Sequence, residues 1–586
     1  MDTCSKKHHI DMKKSQVGLR SPQFNHISFC ELLIEAIVKH DLPFRFVEYE
    51  GIRTLFKYIS PDIKLPCRNI VKKHVLRMFE DEKIRLRDWL NTVEGRICLT
   101  SDLWSSATTD GYLTLTAHFV DKEWKMHKRI LNFCRMPPPH TGIALSEKIN
   151  ALLVEWGIEN KLFSITLDNA SANDCSVELL KKQLNFRGLL LMDGKFFHVR
   201  CCAHILNLIV QHGLKEIDGS VTKVRECIKY IKCSEGRKNK FFACVAQVGL
   251  AGSKRGLRQD VPTRWNSTYT MLDSAIFYRR AFLNLALVDS NFSSCPSLEE
   301  WDKIEKISNF LGYFYEVTCL FSGINYPTSN LFFPKVFKVH YCIQDAMEDC
   351  DDFMRRMGSY MNLKFKKYWS EYSLILAIAV ILDPRYKLQF VEWGYDKLYG
   401  KESRELKDVS DTLFALFGCY MDKFFHLLVS NPVNQTPTQI KVGDKLFEEF
   451  DNIYQDGSTS VEKTELHLYL EGKRLDRKQE LDILSWWKLE QFRYPVLSRM
   501  ASDVLTIPIS TVASESAFSI SGRVLDQYRS SLLPETVQAL LCTRYWLFGK
   551  EALEKEGADL EELTEEIFDM SLNENSGQCS SSISLD

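Results

Sequence analysis

Two aspartates stand at the ends of apolar, strand-like stretches of the sequence. Asp102 ends "RICLTSD", which is followed by the alternating stretch "YLTLTAHFV", and Asp168 ends "KLFSITLD". If the two strands are neighbours in a sheet, their carboxylates can hold divalent cations through hard oxygen ligands. Aspartate at the end of a strand also commonly serves as a turn or cap residue. The choice between these roles depends on whether the fold brings the two strands together.

The elements around these aspartates follow the order β-β-β-α-β-α-β-α. Three strands precede a helix over Ile143–Trp156, and after the strand that ends at Asp168 come the helix "SANDCSVELLKKQL", the short strand "FHVRC" and the helix "AHILNLIVQHGL". The first helix has an apolar stripe made of Leu145, Ile149, Leu152 and Trp156. This is the order of an RNase H-like fold, in which the first and fourth strands are neighbours. The sequence therefore predicts that Asp102 and Asp168 meet.

Length and composition indicate a large globular protein with several structural units. The chain has 586 residues, of which 45% are hydrophobic and 12% aromatic, far above the range of disordered chains. The amino-terminal stretch lacks the apolar core of a signal peptide, and the longest strongly apolar run, Leu374–Leu382, is too short to span a bilayer. We therefore expect a soluble, intracellular protein with no membrane partner and with reduced thiols at its 18 cysteines.

The charge is distributed unevenly along the chain. The net charge is -2, but residues 551–586 hold eleven acids and one lysine, which leaves +8 on the first 550 residues. The sharpest basic cluster, Arg237–Arg264, has seven Lys and Arg residues against Asp260 alone. Such a cluster is compatible with a nucleic-acid surface or with a solvated loop face.

Six ordered motifs make the chain resemble a known family. They are "LTSDLWSS", "TLDNASAND", "RCCAHILNL", "DVPTRWNSTYTML", "ILDPRYK" and "SWWKLEQFRYPVLSRMASDVLTIPISTVASESAFS". Together, over Ser28–Phe548, they resemble the plant hAT transposases, most closely the RICESLEEPER-like group. The resemblance implies an α/β RNase H-like catalytic core, interrupted by a large, mainly α-helical insertion and completed by a helical C-terminal dimerisation segment.

The pattern along the chain and the resemblance together predict six segments. They are a flexible lead-in at 1–25, a helical N-terminal region at 26–94, the first part of the RNase H-like core at 95–218, the helical insertion at 219–480, the C-terminal dimerisation region that completes the core at 481–549, and an acidic, serine-rich tail at 550–586. Within the insertion, Glu235–Asp260 and Leu428–Ser460 read as loops.

Three acids match the catalytic DDE triad of the family. The first aspartate matches Asp102 in "SDLW", the second matches Asp168 in "LDNAS", and the glutamate matches Glu515 in "ASESAFS". The resemblance thus implies a site for Mg²⁺ or Mn²⁺ that cleaves DNA and joins strands by in-line phosphodiester transfer. Without the resemblance, Glu515 reads as a solvated residue of a helix.

A tryptophan and a basic cluster are the candidates for DNA contact. The family's tryptophan beside the hairpin intermediate matches Trp265 in "PTRW", and an indole can stack on an unpaired base. The alternative for this tryptophan is a position in the core. The cationic candidates are Lys254, Arg255, Arg258 and Arg264. Trp104, two residues after Asp102, points to the same side of the strand and is a candidate to buttress the site.

Cys201 and His204 match the C-x-x-H motif of the family. Two ligands make only half of a tetrahedral zinc site and no second pair lies at finger spacing, so we expect a structural role near the active site. Relatives usually begin with a BED zinc finger that reads the transposon end. Cys4, His8 and His9 do not form one, and no zinc finger is evident in the sequence.

The C-terminal segment carries a candidate for self-association. A helix over Pro534–Phe548 places an apolar stripe on one side, and the matching region of the family is a dimerisation domain. The alternative is that the stripe packs on the protein's own core. The stripe consists of Val537, Leu540, Leu541 and Tyr545.

Two functions are compatible with the sequence. The intact acids favour a nuclear, hAT transposase-like protein that binds DNA, dimerises and cleaves and transfers strands at a metal site. The missing finger favours a domesticated, transposase-derived DNA-binding regulator without catalytic activity. In both cases the expected partners are DNA and a second copy of the chain, with no small-molecule substrate.

Overall fold

The computed structural model describes residues 25–105, 111–253, 255–262, 264–323, 325–369, 373–430, 463–515, 532–559 and 565–566. The chain divides into two compact units, Met1–Glu80 and Asp81–Asp586. Of the residues singled out by the sequence, Lys254, Cys4, His8 and His9 lie outside the described residues.

The first unit is helical in its described part. It contains α1 (His26–Lys39), α2 (Glu50–Ile59) and the start of α3 (Arg68–Thr92), whose last turns belong to the second unit. The side chain of Asn25 accepts hydrogen bonds from the backbone N–H groups of Ile27 and Ser28, so α1 begins with a capped amino terminus.

A five-stranded mixed sheet organises the second unit. Its strands are β1 (Ile97–Ser105), β2 (Gly111–Val120), β3 (Met126–Arg135), β4 (Leu162–Leu167) and β5 (His198–Arg200). The spatial order is β3-β2-β1-β4-β5; β2 is antiparallel to both β1 and β3, and β4 is parallel to both β1 and β5. This order confirms the predicted RNase H-like fold and the predicted contact between the first and fourth strands.

Two apolar cores cover the two faces of the sheet. The side chain of Cys98 lies in one core, and those of Ile97 and Leu99 lie in the other. Because successive side chains of a strand point to opposite faces, β1 contributes to both cores. β2 is buried along its whole length. The sequence of β2 alternates between apolar and polar residues, although the strand is covered on both sides. Its polar positions are occupied mainly by threonine.

The first helix after the sheet hairpins is α4 (Gly142–Trp156). The hydroxyl of Thr141 accepts a hydrogen bond from Ala144 N, and the helix ends at Gly157, whose φ of 67° is the left-handed conformation that glycine adopts without strain. The predicted apolar stripe is confirmed, because all four of its side chains are buried in the sheet core: Leu145, Ile149, Leu152 and Trp156.

The middle of the second unit is mainly helical. Its elements are α5 (Ser171–Phe186), α6 (Cys202–Leu214), α7 (Asp218–Lys232), α8 (Glu235–Gln247), β6 (Arg258–Gln259), α9 (Trp265–Phe277), α10 (Arg279–Val288), α11 (Leu298–Phe321), α12 (Phe332–Met347), α13 (Asp352–Trp369), α14 (Leu374–Ile381), α15 (Lys387–Tyr399) and α16 (Arg404–Ser430). β6 pairs with the two-residue strand β7 (Glu565–Glu566).

The prediction of a loop over Glu235–Asp260 is wrong for its first half. α8 occupies this stretch, and the hydroxyl of Ser234 caps it by accepting a hydrogen bond from Arg237 N. The helix buries Phe241 and Val245, four residues apart, and the charged first turn hides this periodicity in the sequence. The second predicted loop, Leu428–Ser460, lies almost wholly outside the described residues.

The C-terminal part adds four helices among the described residues. They are α17 (Glu465–Glu471), α18 (Ile483–Glu490), α19 (Pro495–Leu505) and α20 (Pro534–Asp559). Residues 512–515 form a further helical turn. α20 lies against β3, where the indole N–H of Trp546 donates to Ile130 O at 2.7 Å. None of the helices described here is both long enough and apolar enough to cross a bilayer.

Candidate active site

The register between β1 and β4 brings Asp102 and Asp168 to the same edge of the sheet. The two strands are parallel neighbours, and Thr100 pairs with Thr166. Each aspartate lies two residues beyond its threonine, so the two carboxylates come from equivalent positions on neighbouring strands. The structure therefore assembles the pair of aspartates that the strand order predicts.

The segment after α19 carries Glu515 back to this edge from the far end of the chain. The hydroxyl of Thr166 on β4 donates to Pro508 O at 2.6 Å, and Cys202 N at the start of α6 donates to Ile509 O at 2.8 Å. These backbone carbonyls belong to an irregular stretch without a strand partner of its own. Their hydrogen bonds with the sheet and with α6 fix the path that leads to the glutamate.

A cluster of four buried polar side chains holds the residue before the glutamate. Ser514 Oγ lies 2.8 Å from Thr100 Oγ1 and 3.3 Å from Thr116 Oγ1, and Thr100 Oγ1 lies 3.2 Å from His118 Nε2. Burial and the nearby charge of Lys128 lower the pKa of His118 to about 3, so its ring is neutral and can accept from a hydroxyl. We call these four residues the hydroxyl cluster.

The hydroxyl cluster is a feature that the sequence reasoning missed. Its strand members occupy alternate positions of "LTSD" and "LTLTAHF", where hydroxyl groups interrupt apolar residues in strands that become fully buried. A buried hydroxyl needs a hydrogen-bond partner, so this pattern signals a polar contact beneath the sheet edge. It does not signal that the partner is Ser514, which lies 398 residues from Thr116.

A second set of contacts orients the glutamate itself. Thr511 donates its backbone N–H to Cys201 Sγ at 3.4 Å, and its hydroxyl donates to Glu515 Oε1 at 2.8 Å. Thr511 Oγ1 also lies 3.3 Å from the sulfur. Burial and then the charge of Glu515 raise the pKa of Cys201 to about 11, so the thiol is protonated. The cysteine of the C-x-x-H motif thus contacts the segment that carries the third acid, and the backbone N–H of His204 hydrogen-bonds to its sulfur.

The three acids interact electrostatically. Burial raises the pKa of Asp102 to about 8, and the charges of Glu515 and, more weakly, Asp168 raise it as well, against a hydrogen bond from Leu103 N. A carboxyl of this kind is protonated at neutral pH, because its ionisation would place a third negative charge in a poorly solvated site. A divalent cation would remove this penalty by supplying positive charge.

The donor atoms fit a divalent metal. Asp102 Oδ1 accepts from Leu103 N at 2.9 Å, and Asp168 Oδ1 accepts from Ala170 N at 3.0 Å and from the Asn173 side chain at 2.5 Å. Among the described residues, hydrogen bonds of the three carboxylates use one oxygen each, so that the other can face a cation. Three carboxylates are the hard oxygen donors that Mg²⁺ and Mn²⁺ prefer.

A polar side chain next to the second acid also lacks a partner. Neither the amide oxygen nor the amide nitrogen of Asn169 has a hydrogen bond to the described residues, although both atoms are buried. An unsatisfied buried amide is costly, at about 1–3 kcal/mol. Its place directly after Asp168 is consistent with a site that a ligand or ordered water completes.

Among the described residues, the three acids do not form a group whose ligand atoms all lie within 4.8 Å of one another. In the described part of the chain, one group of three metal-ligating side chains has its ligand atoms within 4.8 Å of one another, and it is Asp349, Cys350 and Asp351, not the acids at the sheet edge. Lys306 forms ion pairs with both Asp349 and Asp351, so that group already has a cationic partner within the protein. Acids spaced more widely can share two metal ions about 4 Å apart.

The exposed basic residues lie on the segment before α9. Arg255 and Arg264 are exposed, and Arg258 is partly buried within β6. The Arg255 guanidinium pairs with Asp273 and lies 5.0 Å from the centre of the Phe277 ring. Arg255 and Arg264 are therefore accessible to a phosphate backbone, although Arg255 also has an internal partner.

Trp265 does not lie where base stacking would need it. Its side chain is 2% exposed and belongs to the main apolar core of the helical part. Trp265 is the first residue of α9. In the same turn, the hydroxyl of Thr268 donates to the buried carboxylate of Asp260, and this carboxylate also forms an ion pair with Arg225 at 2.7 Å. In this conformation an unpaired base cannot reach the indole, so the position in the core describes Trp265 better than the DNA contact that the resemblance implies.

Trp104 lies on the same side of β1 as Asp102. It pairs in register with Tyr112 on β2, and the centres of the two rings are 6.3 Å apart at a tilted angle. The indole is partly buried. It therefore covers the sheet next to the first acid, as a buttressing residue would.

The apolar stripe of α20 packs on the protein's own sheet. The exposed fractions of its side chains are 0% for Val537, 8% for Leu540, 6% for Leu541 and 7% for Tyr545. The prediction that this stripe is the self-association surface is therefore wrong, because β3 and the neighbouring core already cover it. Amphipathicity predicted that the stripe is buried, but not by which partner.

Comparison with protein families agrees with this architecture. The model of the ZBED1 RNase-like domain matches residues 100–196, and that of the ZBED1 RNase-like helical domain matches 199–310. The model described as hAT-like transposase, RNase-H fold, matches residues 330–420, and the hAT family C-terminal dimerisation region matches 465–547. The matches cover the sheet, the helical part and the segment that carries the third acid.

Full-length relatives resemble the chain over most of its length. Zinc finger BED domain-containing protein RICESLEEPER 2 of Oryza sativa is 37% identical over 90% of this chain and 76% of its own length. The putative AC transposase of Zea mays is 36% identical over 87% of the chain and 64% of its own length. DAYSLEEPER of Arabidopsis thaliana is 32% identical over 90% and 75%. Together with the matched domains, these relatives establish that the chain belongs to the hAT transposase-like family.

Proposed function

We propose that the chain is a metal-dependent DNA transposase-like enzyme of the nucleus, with Asp102, Asp168 and Glu515 as its catalytic acids. The observation that carries the proposal is the position of Asp102 and Asp168 at equivalent places on the parallel neighbours β1 and β4. Glu515 lies near enough for its charge to raise the pKa of Asp102 in addition to the larger effect of burial. Perturbed acids of this kind cluster at functional sites. The family membership supports phosphodiester cleavage and strand transfer as the reaction class.

The protein's own residues hold and orient the site. Asp102 and Asp168 present carboxylate oxygens from neighbouring strands, and Thr511 fixes one oxygen of Glu515 by a hydrogen bond. When bound, Mg²⁺ or Mn²⁺ supplies activation of a water or 3'-hydroxyl and stabilises the leaving oxygen. To hold a cation, the carboxyl of Asp102 would have to release its proton to solvent.

DNA binding and self-association belong to the same proposal. Arg255 and Arg264 are exposed and can contact phosphates, which gives affinity without sequence preference. The matched dimerisation region supports self-association. A two-fold assembly would present two equivalent sites to the two ends of a DNA element. The names of the relatives, which include a putative transposase and zinc finger BED domain-containing proteins, support a nuclear location.

The test is to measure Mn²⁺ binding by calorimetry and Mn²⁺-dependent nicking of supercoiled plasmid for wild-type protein and for Asp102→Asn, Asp168→Asn and Glu515→Gln. Each substitution should weaken Mn²⁺ binding and abolish nicking. Asp174→Asn is the matched control, because this acid lies in the first turn of α5 and pairs with Arg200 at 2.9 Å. It should retain both properties.

The results separate the enzyme from the regulator. Wild-type protein that binds no Mn²⁺, or control and triad variants that behave alike, would refute the metal site. Protein that binds DNA and Mn²⁺ but cuts neither plasmid nor hairpin DNA would instead support the domesticated, DNA-binding regulator.

A further inference from the structure

Helix α18 leaves two large apolar side chains in solvent. The helix turns Ile483, Leu484 and Trp487 into the core. On the other side, Leu489 is 79% exposed and Phe492, in the turn that follows, is 89% exposed. The two lie three residues apart, on either side of the end of the helix at Glu490. We call Leu489 and Phe492 the apolar pair.

The apolar pair stands on a rigid base. The indole N–H of Trp124, in the turn between β2 and β3, donates to Gln491 Oε1 at 3.1 Å. Inside the helix, the indole N–H of Trp487 donates to Leu382 O at 3.0 Å. Leu489 and Phe492 therefore have little backbone freedom to lose when a partner covers them, and low ordering cost favours binding.

Charged groups of both signs surround the apolar pair. Lys488 pairs with Glu123 at 3.4 Å, and Arg493 pairs with Glu490 at 3.8 Å. The pairs are substantially exposed, so their partners can be exchanged. A surface with an apolar centre and a mixed rim matches itself when turned about a two-fold axis, because acids of one copy meet bases of the other. It matches a nucleic acid poorly, since the rim also presents acids to the phosphates.

We propose that the apolar pair is the centre of the contact between two copies of this chain. The pair lies within residues 465–547, which match the hAT C-terminal dimerisation region, and the stripe of α20 in the same region is already buried. Aromatic side chains such as that of Phe492 are enriched at interfaces, and the residues that contribute most to affinity lie near the centre, where a partner excludes water from them. The inference rests on the self-association included in the proposed function, and it identifies the surface.

The test compares the dimer dissociation constants of full-length variants by sedimentation or light scattering, without DNA or metal. Leu489→Glu with Phe492→Glu should raise the constant about 100-fold or more, because two acids then face their own copies across the axis. Leu489→Ser with Phe492→Ser should weaken the dimer without added charge. The matched control is Phe186→Glu, since Phe186 is 94% exposed but lies on α5, outside the dimerisation region.

Each outcome decides the proposal. All variants change exposed side chains, so they should keep the wild-type circular dichroism spectrum and melting temperature. The proposal holds if both double variants dissociate and the control does not. It fails if wild type is monomeric, if the double variants dimerise like wild type, or if Phe186→Glu dissociates equally. Nicking activity, measured separately, shows whether the catalytic proposal fails independently of the dimer.

Discussion

Binding of Mn²⁺ at the sheet edge should depend steeply on pH. The pKa of Asp102 is raised from 3.8 to about 8, first by burial and then by the charge of Glu515. Below pH 8 a cation has to displace the proton of this carboxyl, so the apparent affinity should fall about tenfold for each pH unit. The dissociation constant should therefore be about 50-fold larger at pH 6 than at pH 8 and should fall only about twofold more above pH 8.

The metal-free protein should show the opposite trend in stability. An acid whose pKa is higher in the folded state stabilises the fold fully below its unfolded value of 3.8, and this contribution is lost as the pH rises through about 8. The shift of Asp102 corresponds to roughly 6 kcal/mol as an upper limit. Glu515→Gln removes one negative charge, lowers the pKa of Asp102 and should reduce this loss, while it weakens Mn²⁺ binding at high pH by removing a ligand.

Calorimetry in buffers of different ionisation enthalpy measures both quantities. At pH 7, wild-type protein should release close to one proton for each binding event at Asp102. Glu515→Gln should release fewer, and Asp174→Asn should release as many as wild type. Thermal unfolding at pH 5 and pH 9 without metal gives the stability trend. An affinity for Mn²⁺ that stays constant between pH 6 and 8 would contradict the coupling of the three acids.

Three further changes test the structure around the site. Ser514→Ala should lower the free energy of unfolding by about 1–3 kcal/mol, measured by chemical denaturation, because it leaves buried hydroxyls without a partner; a smaller effect would mean that the hydroxyl cluster is not formed. Leu540→Asp with Leu541→Asp should produce an unfolded or aggregated chain by circular dichroism, whereas a folded monomer would restore the stripe as an interface. Arg255→Ala with Arg264→Ala should weaken DNA binding and reduce the salt slope by about two, and an unchanged slope would exclude these arginines from phosphate contact.

The sheet and its two aspartates could be predicted because their information is local. Strand period, helix period and the order of elements are each visible in short windows of sequence, and the register of parallel neighbours follows from that order. Along the chain, Asp102 on β1 and Asp168 at the end of β4 are separated by the strands β2 and β3 and the helix α4. Their meeting at one edge is thus a consequence of the topology, and the structure contains it as predicted.

The third acid could not be chosen from the residues themselves. The side chain of Glu515 is exposed at the end of a largely buried helical turn, and in the sequence it resembles any other surface glutamate of the chain. Its position depends on three contacts between distant parts of the chain. Thr166 and Pro508 are 342 residues apart, Thr100 and Ser514 are 414 apart, and Cys201 and Thr511 are 310 apart. Such separations carry no period that a local pattern can report, and the resemblance to a family supplied the residue instead.

Two predictions failed for one physical reason. For Trp265 and for the stripe that includes Leu540, the resemblance favours a partner outside the chain over a position in the core, and the structure places both in the core. An apolar side chain in the sequence predicts burial, but it does not indicate which surface covers it, because the hydrophobic effect is non-directional. The apolar pair shows the converse. Leu489 and Phe492 belong to an aromatic stretch of sequence that is largely buried, and only the structure shows that these two side chains are exposed.

A buried carboxylate joins the sheet, the helical middle and the C-terminal part of the chain around the candidate active site. Asp503 Oδ1 accepts from Arg96 N at the start of β1 at 2.8 Å, and Tyr420 on α16 donates its hydroxyl to Asp503 Oδ2 at 2.6 Å. Asp503 itself lies on α19, which precedes the segment that carries Glu515. Both oxygens of one acid therefore connect the sheet, the helical middle and the C-terminal part. Because this junction anchors α19, which leads to the segment that carries Glu515, we expect the geometry of the proposed site to depend on the folding of the helical middle, which contributes none of the three acids.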